Sequence, residues 1–234
     1  MSRLLVSTFI RMLKKVIFWF FVLCMFTYGV YSALNIASEA RIGFVLDGCL
    51  FECLPLMGLI SAIFTSLFIG SEYSDGTIRN KIIVGHSRIR IYLANLIVCA
   101  IASVLISLSY TVGVFVIGNI NGGELITETA TIFLCMVSSL MISVTFASIM
   151  TLLAILNTNK AGNVVVSMIL ALVLLVSGSF IHQKLGEPKL YDNYVTVNEM
   201  GIPTQIEQLP NPQYIEGTPR IVLEVLSDLL PSGQ

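Results

Sequence analysis

The sequence predicts an all-α polytopic membrane protein with five spans, and three observations predict it. Apolar residues make up 56% of the 234, charged residues only 12%, and the mean hydropathy is +0.88. Soluble globular domains carry about 25% charge. The apolar residues fall in blocks of membrane-spanning length, and the Lys and Arg residues gather in alternate connections between those blocks.

The elements follow in chain order. Residues 1–15 mix apolar and basic positions, with Leu5, Phe9 and Met12 able to share one face, as on a helix lying at a membrane interface. A plain extension of the first span accounts for the same pattern. Five apolar blocks then occupy 16–36, 49–70, 91–120, 131–156 and 162–181. Each approaches or exceeds the roughly 20 residues that cross the hydrocarbon core. The first block follows Arg11, Lys14 and Lys15 like the start of a signal peptide. It is too long for an h-region and has no small-residue cleavage site after it, so it reads as an uncleaved helix.

Charge counting orients the spans. The amino terminus, the second connection and the fourth hold nine of the thirteen Lys and Arg residues and two of the fourteen acidic ones, Glu72 and Asp75. The opposite side holds Arg41, Lys184, Lys189 and Arg220 against twelve acidic residues. The positive-inside rule therefore predicts a cytoplasmic amino terminus and places residues 182–234 outside. This last region reads as a proline-rich loop, then a short helix opened by Thr218-Pro219 and stopped by Pro231-Ser232-Gly233-Gln234.

The most informative segment is the polar island between the second and third blocks. Gly70 is expected to close the second span. Ser74 or Asp75 would cap the next short helix, and Gly76-Thr77 would give the bend. Ile78, Ile82 and Ile83 would line one side of a rigid amphipathic helix continuing through Arg88, while Arg79, Asn80 and Lys81 point elsewhere. Such an element could carry a push from a soluble domain into two spans. Pattern alone also allows Glu72, Arg79 and Lys81 to be ordinary headgroup-facing charges.

Several function classes are excluded or weak. No basic face is left for nucleic acid. No Gly-x-x-x-x-Gly-Lys-Ser/Thr loop is present, so this chain does not itself hold ATP, and no cofactor or metal is expected in it. The topology puts His86 and His182 on opposite sides, which rules out a shared metal site or dyad. Cys24, Cys49, Cys53, Cys99 and Cys135 lie mostly in apolar runs, where thiols act as small hydrophobes. Three residues mark a possible substrate path: Trp19 in the aromatic first span, Glu52 one turn into the second, and Asn95 in the third. Each has an ordinary alternative, respectively packing, headgroup exposure and an interhelical hydrogen bond.

Residues 71–90, with Glu72-Tyr73, Gly76-Thr77-Ile78-Arg79-Asn80-Lys81, Gly85 and Ser87-Arg88, resemble the signature region of ABC-2 type transporter permeases. The likeness is nearest to small bacterial permeases of bacitracin or lantibiotic export and immunity, and it covers nearly the whole chain. It implies one transmembrane permease domain over 1–234, working in a bacterial plasma membrane. Glu72, Tyr73, Asp75, Gly76, Thr77, Arg79, Asn80, Lys81 and Arg88 would couple it to a separate ATP-binding subunit. ATP and Mg would bind that subunit, and a second permease copy or a related permease would complete the path. Membrane lipid surrounds it, and an amphiphilic peptide or drug is the implied substrate. The family usually has one span more, so the expectation is that a sixth is missing through truncation. The rival reading is a non-transporting immunity or sensor protein that binds an extracellular peptide. A membrane enzyme would need catalytic groups converging at one depth, and the sequence offers none.

Overall fold

The computed structural model describes residues 2–39, 46–47, 49–123, 125–156, 160–197 and 203–229. Arg41 and the terminal 231–234 stop lie outside them. The chain divides into two compact units, 1–173 and 174–234.

In the first unit α1 (Ser2–Lys14) buries Leu4, Thr8 and Met12, a row at helical spacing. Leu5, Phe9 and Leu13 flank that row and are partly buried against the core. The Thr8 hydroxyl donates to the Leu4 carbonyl at 2.9 Å, so its polarity is satisfied within the helix. The helix therefore docks on the bundle, against α2 and α5, rather than only resting on a membrane surface. Val6 and Ile10, on another side, stay exposed.

The spans are α2 (Val16–Glu39), α3 (Leu54–Ser74), α5 (Arg88–Ile120), α6 (Thr129–Leu156) and α7 (Lys160–Gly186). All five are long and apolar enough to cross a membrane. The short α4 (Thr77–Ile83) lies between α3 and α5. The expected count of spans is met, with shifted ends. Only a 3-10 turn (Cys49–Phe51) precedes α3, which places Glu52 ahead of the span and exposed, not inside it. At its other end α3 runs one turn past Gly70, and α7 begins in the first unit and continues through Gly186.

Close backbone contact fixes the α2–α5 crossing. A side chain added at Gly29 would meet the Tyr110 carbonyl at 2.4 Å, and one at Gly113 would meet the Phe26 carbonyl at 2.5 Å. Small residues at such a crossing let helices approach where no hydrophobic force drives them together. Phe18 and Phe21 of α2 meet Phe64 of α3 edge-on, and Phe64 stacks on Phe68 at 5.8 Å. The aromatic first span thus splits: Phe18 and Phe21 are core, while Trp19 and Phe20 are exposed. Long apolar faces, including Val112, Phe133, Met141 and Val166, are also exposed, as lipid-facing helices require.

The second unit corrects the loop expected beyond residue 182. β1 (Leu190–Val197) and β2 (Pro203–Pro210) form an antiparallel two-stranded sheet, in register from Leu190↔Pro210 to Val197↔Pro203, with irregularities near Tyr194. The two prolines stand at the ends of β2, where a missing N–H costs least. Asn211 clips the base: its amide donates to Glu187 at 2.9 Å and to the Pro188 carbonyl at 3.0 Å. Helix α8 (Thr218–Leu229) follows, where Thr218-Pro219 predicts its start. All-α therefore describes the membrane spans, and a β-ribbon is added after them.

Candidate functional site: a buried charge cluster beneath an exposed surface

Ser71, Glu72 and Tyr73 are helical, in the last turn of α3. Asp75 caps that helix, its N–H bonding the Ser71 carbonyl at 2.9 Å. Gly76 then takes φ 67°, a left-handed conformation that suits glycine, and reverses the chain into α4. No side chain caps α4, contrary to the expected role of Ser74 or Asp75. Instead the Thr77 hydroxyl donates back to the Glu72 carbonyl at 2.9 Å, satisfying the end of α3.

This turn sets the phase of α4. Lys81 follows Thr77 by one helical turn, so it shares the inward face rather than pointing away with Arg79 and Asn80. Lys81 is buried, and Glu72, 1% exposed, is enclosed. Lys81 Nζ donates to both Glu72 carboxylate oxygens, at 3.0 and 2.9 Å. Arg11 Nη1 of α1 donates to Glu72 Oε1 and to Thr77 Oγ1, each at 2.9 Å. Asn95 Nδ2 of α5 adds a bond to Glu72 Oε2 at 3.1 Å. One carboxylate therefore joins α1, α3, α4 and α5. A charge buried in this way is tolerated only when paired and hydrogen-bonded throughout.

The turn is fastened at two further points. Lys15 Nζ donates to Ser71 Oγ at 3.0 Å and lies 3.6 Å from Asp75. The Tyr73 hydroxyl donates to the Ile155 carbonyl of α6 at 3.0 Å. A cavity of about 310 Å³ lies beside it, lined by Tyr73, Ile78, Ile82, Arg88, Tyr92 and Asn95 among others.

The coupling residues expected from sequence separate into two groups. Glu72 and Lys81 form the interior support, with Tyr73, Gly76 and Thr77 half-buried around them. Asp75, Arg79, Asn80 and Arg88 are exposed. Ile82, Ile83 and Val84 are exposed too, at 42%, 72% and 76%, and form an outward apolar edge, while Ile78 is half-buried. α4 stops at Ile83 and Gly85 takes φ 93°, so the rigid helix expected through Arg88 is broken before α5.

The three substrate-path residues are not brought together. Trp19 is exposed on α2 and donates to the Leu13 carbonyl at 2.8 Å. Glu52 accepts a hydrogen bond from Ser32 before the start of α3. Asn95 is buried in the Glu72 cluster. Sequence reasoning missed Arg11 as a partner of Glu72. Its one signal is position: Arg11 adjoins Met12 on the face of α1 that carries Leu4 and Thr8.

The five spans define a multi-pass helical membrane protein, with the charge cluster at one end of its bundle. The chain belongs to the ABC-2 family: the family model described as "ABC-2 family transporter protein" matches residues 5–178. That match takes in most of α1, all of α2 to α6 with the whole turn, and most of α7, and stops short of the β-ribbon. Membership makes the chain a membrane-spanning transport component, not the catalytic one, and implies an ABC ATP-binding partner in general. Searches of curated proteins and of solved structures each return no match.

Proposed function

We propose that this chain is the membrane-spanning subunit of an ATP-driven exporter, with the exposed part of 74–90 receiving a separate ATP-binding subunit. The observation that carries this reading is the split of the turn into a buried support and an exposed edge. Glu72, enclosed by Arg11, Lys81 and Asn95, holds the turn rigid from beneath. Arg79, Ile83 and Val84 are exposed among the described residues. An apolar edge flanked by cations suits a protein partner better than open water.

The charge distribution supports a cytoplasmic placement of this end, with the amino terminus inside and the ribbon and α8 outside. ATP and Mg would then bind in the partner, on the side where ATP is available. A second permease copy, or a related one, would complete the path through a bacterial plasma membrane. An amphiphilic substrate such as an antimicrobial peptide or drug fits the exposed aromatic side of α2 and the acidic outer segment.

The test reverses the exposed group and leaves the buried one alone. Arg79→Glu combined with Ile83→Ser is expected to lower substrate resistance or export at least tenfold and to lose the co-purifying ATP-binding subunit. Membrane abundance of the variant should match the parent. Unchanged export with the subunit retained would overturn the coupling role.

A further inference from the structure

Beside the turn, α1 and α4 enclose a second hollow of about 300 Å³, open to the surface and lined by Arg3, Ser7, Arg11, Asn80, Lys81 and His86 among others. Its charge is unbalanced. Arg11 and Lys81 share the single buried carboxylate of Glu72, and Arg3 makes no ion pair among the described residues. Three cations thus face one carboxylate, and the cleft carries an excess of positive charge. Ser7 and Asn80 line the same cleft and offer a hydroxyl and an amide as neutral hydrogen-bond donors.

The cleft does not end in polar surface. It shares Arg3 and Ser7 with an adjoining hollow along α1, whose other lining residues include Val6 and Ile10. Both are exposed, at 55% and 45%, although they lie on a helix whose opposite row is fully packed. A cationic recess that opens onto an apolar strip matches an amphiphile carrying a negative head. A carboxylate on a protein partner would use the recess and leave the strip uncovered.

We propose that this two-part groove binds an anionic membrane lipid, with the phosphate among Arg3, Arg11 and His86 and an acyl chain along Val6 and Ile10. The inference needs only that α1 lies at the membrane surface, and does not depend on the ATP-coupling role of 74–90. Bound lipid would brace α1 against α4 from outside, as Glu72 does from within. Basic residues near a membrane surface attract anionic headgroups by this kind of short-range, salt-screened attraction.

The experiment is native mass spectrometry of the detergent-purified full chain, titrated with phosphatidylglycerol or phosphatidylcholine, with inorganic phosphate as a competitor. Phosphatidylglycerol should be retained over phosphatidylcholine. Arg3→Gln should weaken that retention about fivefold, the effect of one surface cation. Lys14→Gln, which removes a cation from the same helix outside the groove, should leave it unaltered. Ile10→Ser should weaken retention of the long-chain lipid while a soluble glycerophosphate binds as before. Equal retention of the two lipids, or no effect of Arg3→Gln, would overturn the proposal. So would displacement by millimolar phosphate, which would mark a bare anion site. Loss of an ATP-binding subunit from Arg3→Gln with lipid retention intact would assign the groove to a protein carboxylate instead.

Discussion

Glu72 is the residue on which the turn depends, because its charge has no water to fall back on. Its carboxylate meets Arg11, Lys81 and Asn95 within 3.1 Å. Removing a member of such a cluster leaves the others buried and uncompensated, at about 3–5 kcal/mol for a broken buried pair. The members are unequal. Glu72→Gln strands two cations, whereas Lys81→Met leaves the carboxylate with Arg11 and Asn95. Glu72→Gln is therefore expected to be the more destabilising, by about 3 kcal/mol or more. Paired melting curves in detergent check this, with Arg79→Gln as an exposed control expected to shift by under about 0.5 kcal/mol. Equal melting of Glu72→Gln and the parent would remove the support that the turn is argued to have. The same contrast separates two meanings of lost transport. On the proposed coupling role, a Glu72 variant would fail because the turn loosens, and an Arg79 variant would fail with the turn intact.

Among the described elements, α2 and α5 pack most extensively, and glycine permits their close approach. With a Cβ at Gly113 placed 2.5 Å from the Phe26 carbonyl, no rotamer relieves the clash, because the obstacle is backbone. Gly113→Leu is expected to separate the helices and cost at least the 1–3 kcal/mol typical of overpacking. A melting or protease-resistance comparison with Val112→Leu, which changes an exposed neighbour, isolates the crossing from general hydrophobicity. This scale also shows what the sequence could reveal. The spans were readable because hydropathy is summed over some 20 residues and tolerates errors at either end. Where α3 ends was not readable, since Glu72 reads as a helix-ending charge until its partners are known. Arg11 is 61 residues away along the chain, and no local pattern announces such a contact. The inward turn of Lys81 follows from the left-handed Gly76, which fixes where α4 begins and so which residues share a face. The ribbon after α7 was hidden by its prolines. A strand ladder is made by backbone groups, and proline at its ends leaves the rest free to pair.

For the whole molecule, the segregation of charge is the organising feature. Arg11 of the amino terminus and Lys81 of the α3–α5 connection converge on one carboxylate, Glu72. The spans, in contrast, expose long apolar faces. Residues from four helices thereby build one rigid floor, and the polar island becomes the surface of that floor. The candidate site was half visible in sequence: the segment was identifiable, but its division into support and contact required the fold. Membership of the ABC-2 family agrees with this arrangement, because the matched region contains the whole floor and omits the ribbon. In the proposed coupling, the exposed edge of α4 would touch an ATP-binding subunit on the cytoplasmic side. The direct measurement is photocrosslinking in native membranes from a benzophenone amino acid placed at Ile83, compared with one at Val112, exposed in the last third of α5. An adduct between position 83 and an ATP-binding subunit is expected, strengthened or weakened by nucleotide, and none from position 112. An Ile83 probe that captures only lipid, or that is reached solely by reagents from the outer side, would contradict it.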